Sequence, residues 1–394
     1  MKVSSPEAEA IALLRALVRH NSINPPGITK GVAGVALDWL RDSGLRPEVV
    51  SAHPDKPNIL LTIDNGPGPH LVFNAHLDTV SAGDPSAWTF PIQDLTEQNG
   101  RLYGLGTGNM KAAVTAMMLA IRSLSARRED WSGRVSLTLV ADECVFGPDG
   151  AEFLLDQRPE LRGDMVICGE GPGFMHLAIA EKGLMWVRLT ATGPVGQGML
   201  SNVGSTATTR LAAAIIALDE INHLSVRCPL PVLDHNDNVE GLRPSVNVGR
   251  IGGGDFISQS ASSAWAEIDI RIPPGLSVKD LSAILDSICK PGNLAWETIK
   301  SWDANWTNSE SEVAAAILAA AHDNNRVGTR LVTRLPASDA SRWRKLGIPS
   351  VCFGPQAELA SGVDDYVNRQ DFFDCIKIYE QAACYTLPPA QKTI

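Results

Sequence analysis

The sequence predicts an α/β fold: a mixed, largely parallel sheet flanked by helices, with a small α+β domain inserted into the chain. Three observations predict it. Short buried-type apolar runs alternate with helical stretches on either side of a central segment. That central segment has a different pattern, with period-two strands around long helices. The chain of 394 residues also exceeds what one hydrophobic core usually fills, so two domains are expected.

The elements follow in order. Residues 6–18 place Ile11, Leu14, Leu17 and Val18 on one helical face, and Pro6 suits the first turn. Asn24-Pro25-Pro26-Gly27 forces a loop, and residues 31–40 read as a second helix. Leu71-Val72-Phe73-Asn74-Ala75 reads as a buried strand, 111–124 as a helix, and 135–140, 165–168 and 350–353 as further strands. In the middle, 183–192 and 263–272 alternate apolar and polar residues, with helices over 205–218 and 279–288. The inserted domain is therefore placed at 183–296, bordered near Lys182 and Trp296. The α/β domain comprises 1–182 and 297–394.

Bulk properties exclude several classes. The formal net charge is −10 with interspersed signs, and no Lys/Arg cluster marks a phosphate-tracking face, which argues against a nucleic-acid partner. The 7 cysteines are scattered without a Cys-x-x-Cys pair, as expected in a reducing compartment. The first residues lack the apolar stretch of a signal peptide, and no run approaches the ~20 apolar residues of a membrane span. A cytoplasmic location is expected.

In a parallel α/β sheet, ligands collect at the carboxyl ends of the strands. Those ends carry His76-Leu77-Asp78, Asp142-Glu143-Cys144 and Gly169-Glu170. The turn Gly104-Leu105-Gly106-Thr107-Gly108-Asn109-Met110 precedes the helix at Lys111. Each alone reads as a surface pair, a solvated strand end or an ordinary turn. Together they bring imidazole and carboxylates to one rim, the side-chain set of a metal or acid/base site.

Further residues sharpen this. Phe73 to Val80, Trp88-Thr89-Phe90-Pro91, Arg101 to Lys111, Ala141-Asp142-Glu143, Glu181-Lys182-Gly183, Asp269-Ile270-Arg271, Ser338-Asp339-Ala340 and Phe353-Gly354-Pro355 occur in order. In order and spacing they resemble the zinc amidohydrolases and peptidases that include aminoacylases, acetylornithine deacetylases, succinyl-diaminopimelate desuccinylases and glutamate carboxypeptidases. The resemblance covers almost the whole chain. It implies a catalytic α/β domain, an inserted lid that also makes a homodimer, and two zinc ions ~3.5 Å apart.

Carried over by position, the resemblance makes His76 and Glu170 ligands of one zinc, Asp78 the carboxylate that orients His76, and Glu143 the general base. Elsewhere the pattern is broken. Asn109 occupies the place of the bridging aspartate, Cys144 that of the second zinc's carboxylate, and Ser361 that of its histidine. The lid histidine falls on Gln197, the lid asparagine near Ser258, and the threonine of the Gly-Thr-Ser-Asp motif on Ala337. Two dications at that separation repel by roughly 19 kcal/mol at an effective dielectric of ~20. With so few anionic ligands, the usual zinc pair is not expected.

Three readings follow. The first is a repurposed enzyme that needs no metal and acts on an amino-acid-like or N-acyl amino-acid substrate. Glu143 is its acid/base, His76 and Asp78 support it, and Cys144 is either a nucleophile or an inert packing residue. Asn109, Glu170, Gln197, Ser258, Arg271 and Ser361 would face the substrate. The second is a single-metal amide hydrolase with zinc or manganese on His76, Glu170 and Asn109. The third is a ligand-binding homologue without catalysis.

Overall fold

The computed structural model describes residues 5–357 and 362–390. The chain divides into two compact units. The first runs up to Ile179 and resumes with Thr307–Val332 and the chain from Ser338 onward. The second comprises Ala180–Trp306 and Thr333–Ala337.

The first unit is built on a mixed, largely parallel sheet, as the sequence predicts. Its strands lie in the order Glu48–Val50, Asn58–Asn65, Gly133–Val140, His70–His76, Met165–Cys168, Ser350–Cys352 and Leu177–Glu181. The four from Gly133–Val140 to Ser350–Cys352 run parallel. The strands outside them pair antiparallel. Every residue of His70–His76 is buried, because this central strand is covered on both faces. Phe73 there lies beside Leu137 and Ile167 in register.

Helices Pro6–Val18, Ala112–Ala126, Glu312–Asp323 and Arg369–Thr386 bury their apolar stripes in this unit. Ser5 caps the first through a hydrogen bond from the Ala8 N–H at 3.2 Å, with Pro6 following as expected. Tyr379 from the last helix is fully buried against Phe73 and Phe353, and its hydroxyl donates to the Phe353 carbonyl at 2.6 Å. A buried aromatic of this kind contributes about 1.5–3 kcal/mol, and the hydroxyl finds a partner rather than being left dry.

The second unit is an antiparallel sheet in the order Ser245–Gly253, Ser263–Ile272, Gly183–Thr192 and Leu294–Trp302. Helices Ala207–Asp219 and Val278–Cys289 share its core, with Leu211, Leu218, Leu281 and Leu285 in one cluster with Val187, Leu189, Ile268 and Ile270. Ser277 and Asp280 form a capping box at the start of the second helix. The two inner strands match the predicted ranges residue for residue. The two outer strands were not read from the sequence, and Leu294–Trp302 runs through the expected border at Trp296. Among the described residues, no helix is long and apolar enough to cross a membrane.

Candidate active site

His76 ends the central strand and is 1% exposed. Its Nδ1 lies 2.9 Å from the Asp78 carbonyl oxygen and 3.3 Å from the Asp78 carboxylate. Its Nε2 faces Asn109 Oδ1 at 3.1 Å, Glu170 Oε1 at 3.5 Å and Glu143 Oε2 at 3.6 Å. Both ring nitrogens thus face acceptors, the surroundings of an imidazolium. Burial works against that charge, but Glu143, Asp78 and Glu170 outweigh it and hold the His76 pKa well above its ordinary value.

Asp78 anchors this arrangement. It accepts from Asn24 Nδ2 at 2.8 Å, from the Cys144 N–H at 2.9 Å and from the Glu143 N–H at 3.2 Å. Burial would raise its pKa, yet the His76 and Asn24 hydrogen bonds and the Cys144 N–H hold it down at about 2. One carboxylate therefore orients the imidazole and also fixes the backbone of the neighbouring strand end.

That strand end turns sharply after Val140. Asp142 has a φ of 63° and points away from the rim, into a pair with Lys56 at 2.6 Å and a hydrogen bond from Asn24 at 3.0 Å. The Gly147 N–H closes the turn on the Asp142 carbonyl at 2.9 Å. A Cβ at Gly147 would lie 1.9 Å from Asp142 Oδ2, so only glycine lets the loop fold back.

The turn presents Glu143 and Cys144 to His76. Glu143 is 7% exposed, and its carboxylate makes no hydrogen bond within the described residues; its contact is the one to His76 at 3.6 Å. Burial first, then the charge of Glu170, pushes the Glu143 carboxyl well above the usual range, with His76 opposing. The Cys144 thiol is half-buried and is pushed up by burial, then by the charges of Asp78 and Glu143. A protonated thiol of this kind is a poor nucleophile.

Asn109 is set by the glycine-rich turn. The Asp365 carboxylate takes the Gly106 N–H at 2.7 Å and the Gly108 N–H at 3.2 Å. Asn109 Oδ1 is committed to His76, which leaves its amide N–H2 as a neutral donor. Glu170, 1% exposed, follows the strand Met165–Cys168.

Asp339 is an addition to the sequence-derived set. Its carboxyl is buried, and Oδ2 has no hydrogen-bond partner among the described residues. Burial pushes it up to about 7, opposed by His76 and reinforced by Glu170. The motif Ser338-Asp339-Ala340 was visible in the sequence, but nothing in it told that this carboxyl shares the electrostatics of His76. Asn24 and Lys56 left no signal, since they act across long sequence separations.

The structure therefore groups His76, Asp78, Asn109, Glu143, Cys144 and Glu170. Gln197, Ser258 and Arg271 belong to the second unit. Gln197 pairs with Gln259 on a two-stranded ribbon, exposed, and the Gly198 N–H bonds the Ser258 carbonyl at 2.8 Å. Arg271 is half-buried and paired with Asp269 at 2.9 Å. Ser361 lies outside the described residues.

Asn109 Oδ1 faces His76 Nε2 at 3.1 Å, and Cys144 is a free thiol beside Glu143. Among the described residues, His76, Glu143 and Cys144 bring ligand atoms to within 4.8 Å of one another. The set expected from the sequence, His76, Glu170 and Asn109, shares its histidine.

Comparison with known proteins agrees with the family resemblance. Residues 72–384 match the peptidase family M20/M25/M40. Acetylornithine deacetylase of Edwardsiella ictaluri is 30% identical over 294 residues, which span 73% of each chain. The same enzyme of Photorhabdus laumondii is 28% identical over 295 residues, again 73% of each. Among solved structures, an M20-family metallo-carboxypeptidase from Sulfolobus solfataricus superposes with a TM-score of 0.73 at 18% identity, covering 96% of this chain and 99% of that one. A dinuclear metal-binding M20 peptidase from Bacillus subtilis gives 0.68 at 13%, covering 97% and 98%. At these identities the solved structures speak for the fold.

Proposed function

We infer that this chain, which belongs to the peptidase family M20/M25/M40, is an amide hydrolase of the deacylase type that works without the family's usual metal pair. Its substrate is an N-acyl amino acid or a similar amino-acid-like amide, and Glu143 is its acid/base. The observation that carries this reading is the state of Glu143: a buried carboxyl at a strand-end rim, without a hydrogen bond among the described residues, 3.6 Å from the His76 imidazole. The substrate class rests on the relatives, which are named acetylornithine deacetylases.

The residues present supply the parts of such a reaction. A carboxyl that burial holds well above its ordinary range can take a proton from attacking water and return it to the leaving amine. The charged His76 ring and the Asn109 amide are donors suited to an oxygen that gains negative charge. Asp78 keeps the ring in place. Cys144 is a packing or ligating group in this reading, because its surroundings hold the proton on sulfur.

The test is release of the acyl group from a panel of N-acyl amino acids, N-acetylornithine among them. Turnover by the wild type that falls about 10²–10⁴-fold in Glu143→Gln is expected. No turnover on the panel, or equal turnover in the variant, would remove this reading. A homologue that only binds such molecules would show saturable affinity without product.

A further inference from the structure

We propose that Lys182 is a carbamylation site: its amine takes up carbon dioxide, and Arg243 and Arg271 hold the carboxylate so formed. The site lies within the second unit and is independent of the hydrolase reading. Burial, strand register and the placement of charges carry it.

Lys182 is 4% exposed, and its side chain makes no hydrogen bond or ion pair among the described residues. Burying an ammonium without a partner is costly, so the position favours an amine that sheds its charge. The backbone there is fixed, since the Lys182 N–H donates to the Arg334 carbonyl at 3.0 Å. The sheet register brings the two arginines to the same corner. Arg271 lies opposite Leu184, two residues along from Lys182, and opposite Ser245, two residues along from Arg243.

The acids of this corner already have partners. Glu240 pairs with Arg243 at 2.6 Å, and Asp269 pairs with Arg271 at 2.9 Å. Glu181 accepts from Asn305 at 3.1 Å, and the Arg334 guanidinium turns to the Pro336 and Ala337 carbonyls. Burial holds the Lys182 amine down at about 8, with Glu240 opposing and Arg243 and Arg271 adding to the fall. A large share of the amine is therefore neutral near pH 8, and the neutral form is the one that reacts. Its nitrogen lone pair attacks the carbon of carbon dioxide and a C–N bond forms. One C=O electron pair moves to oxygen, and an N–H proton leaves to water. The lysine cation becomes an N-carboxylate, an anion suited to charge-assisted hydrogen bonds from the two guanidinium groups.

The test uses the full-length protein at about pH 8 with carbon-13 bicarbonate, the source of labelled carbon dioxide. A trialkyloxonium salt then alkylates any carbamate to a stable ester. Peptide mass spectrometry should place the labelled ester on Lys182 and leave the exposed Lys30 and Lys279 unmodified. Arg243→Gln should lower the occupancy of Lys182 about tenfold, the effect of losing one hydrogen bond to a charged group. Carbon-13 NMR of the wild type, which needs no variant, should show a carbamate resonance that disappears when bicarbonate is removed. The same resonance should be missing from Lys182→Gln. No label at Lys182, label spread equally over Lys30 and Lys279, or unchanged occupancy in Arg243→Gln would each overturn the proposal.

Discussion

Asp78 and Asp339 serve the same histidine with carboxyls displaced in opposite directions, and this sets how stability varies with pH. Asp78 is held at about 2 against an ordinary 3.8. Its folded pKa is depressed, so its contribution is present above about pH 4 and is lost as pH falls toward 2. The shift corresponds to about 2 kcal/mol. Asp78→Asn should lower the melting temperature at pH 7 and narrow the gap from wild type near pH 2; an unchanged pH profile would contradict the anchoring role. Asp339 is the reverse case. Its folded pKa is raised to about 7, so stability is fully present below 3.8 and declines as pH rises through 7. Asp339→Asn should therefore melt higher than wild type at pH 8 in the presence of chelator, and a lower melting temperature there would show that the charge is compensated. Glu143→Gln should likewise keep or raise the melting temperature, since it replaces a buried carboxyl that lacks a hydrogen bond among the described residues. At this scale the sequence disclosed the residues that end strands, because strand ends are where an α/β sheet gathers ligands. It did not disclose Asn24 or Lys56, whose contacts with Asp78 and Asp142 depend on how distant loops fold.

The turn after Gly133–Val140 is the element on which the rim depends. It points Asp142 away from the rim to Lys56 and presents Glu143 and Cys144 to His76. Gly147→Ala places a methyl on Asp142 Oδ2 and must push the loop aside. A loss of about 1–3 kcal/mol in denaturant unfolding is expected, together with reduced turnover. Full activity and stability would mean that the loop does not set Glu143. Legibility differed between elements for a physical reason. Central strands such as Met165–Cys168 are buried throughout and read as unbroken apolar runs. The inner strands Gly183–Thr192 and Ser263–Ile272 have one face on a core and read as alternation. The outer strands Ser245–Gly253 and Leu294–Trp302 are largely exposed and carry glycines or charges, so neither pattern survives in them.

At the scale of the molecule, those outer strands are the free edges of the second unit's sheet. Exposed edges of this length invite pairing, and we propose that one pairs across a two-fold axis to form a homodimer. Light scattering should give twice the chain mass; the mass of one chain at micromolar concentration would refute the dimer and leave the fold untouched. The fold class was legible because the strand–helix alternation and the inserted α+β segment left distinct patterns. The roles expected of Asn109, Cys144 and Glu143 were legible only through the family resemblance, since these are unremarkable residues when read singly. We propose that this rim works without the family's metal pair and keeps Glu143 as its proton-transfer carboxyl. Counting zinc by elemental analysis tests it most directly, on protein equilibrated with excess zinc and freed of unbound ion. At most one zinc per chain is predicted, and two tightly retained zinc ions per chain would contradict the account.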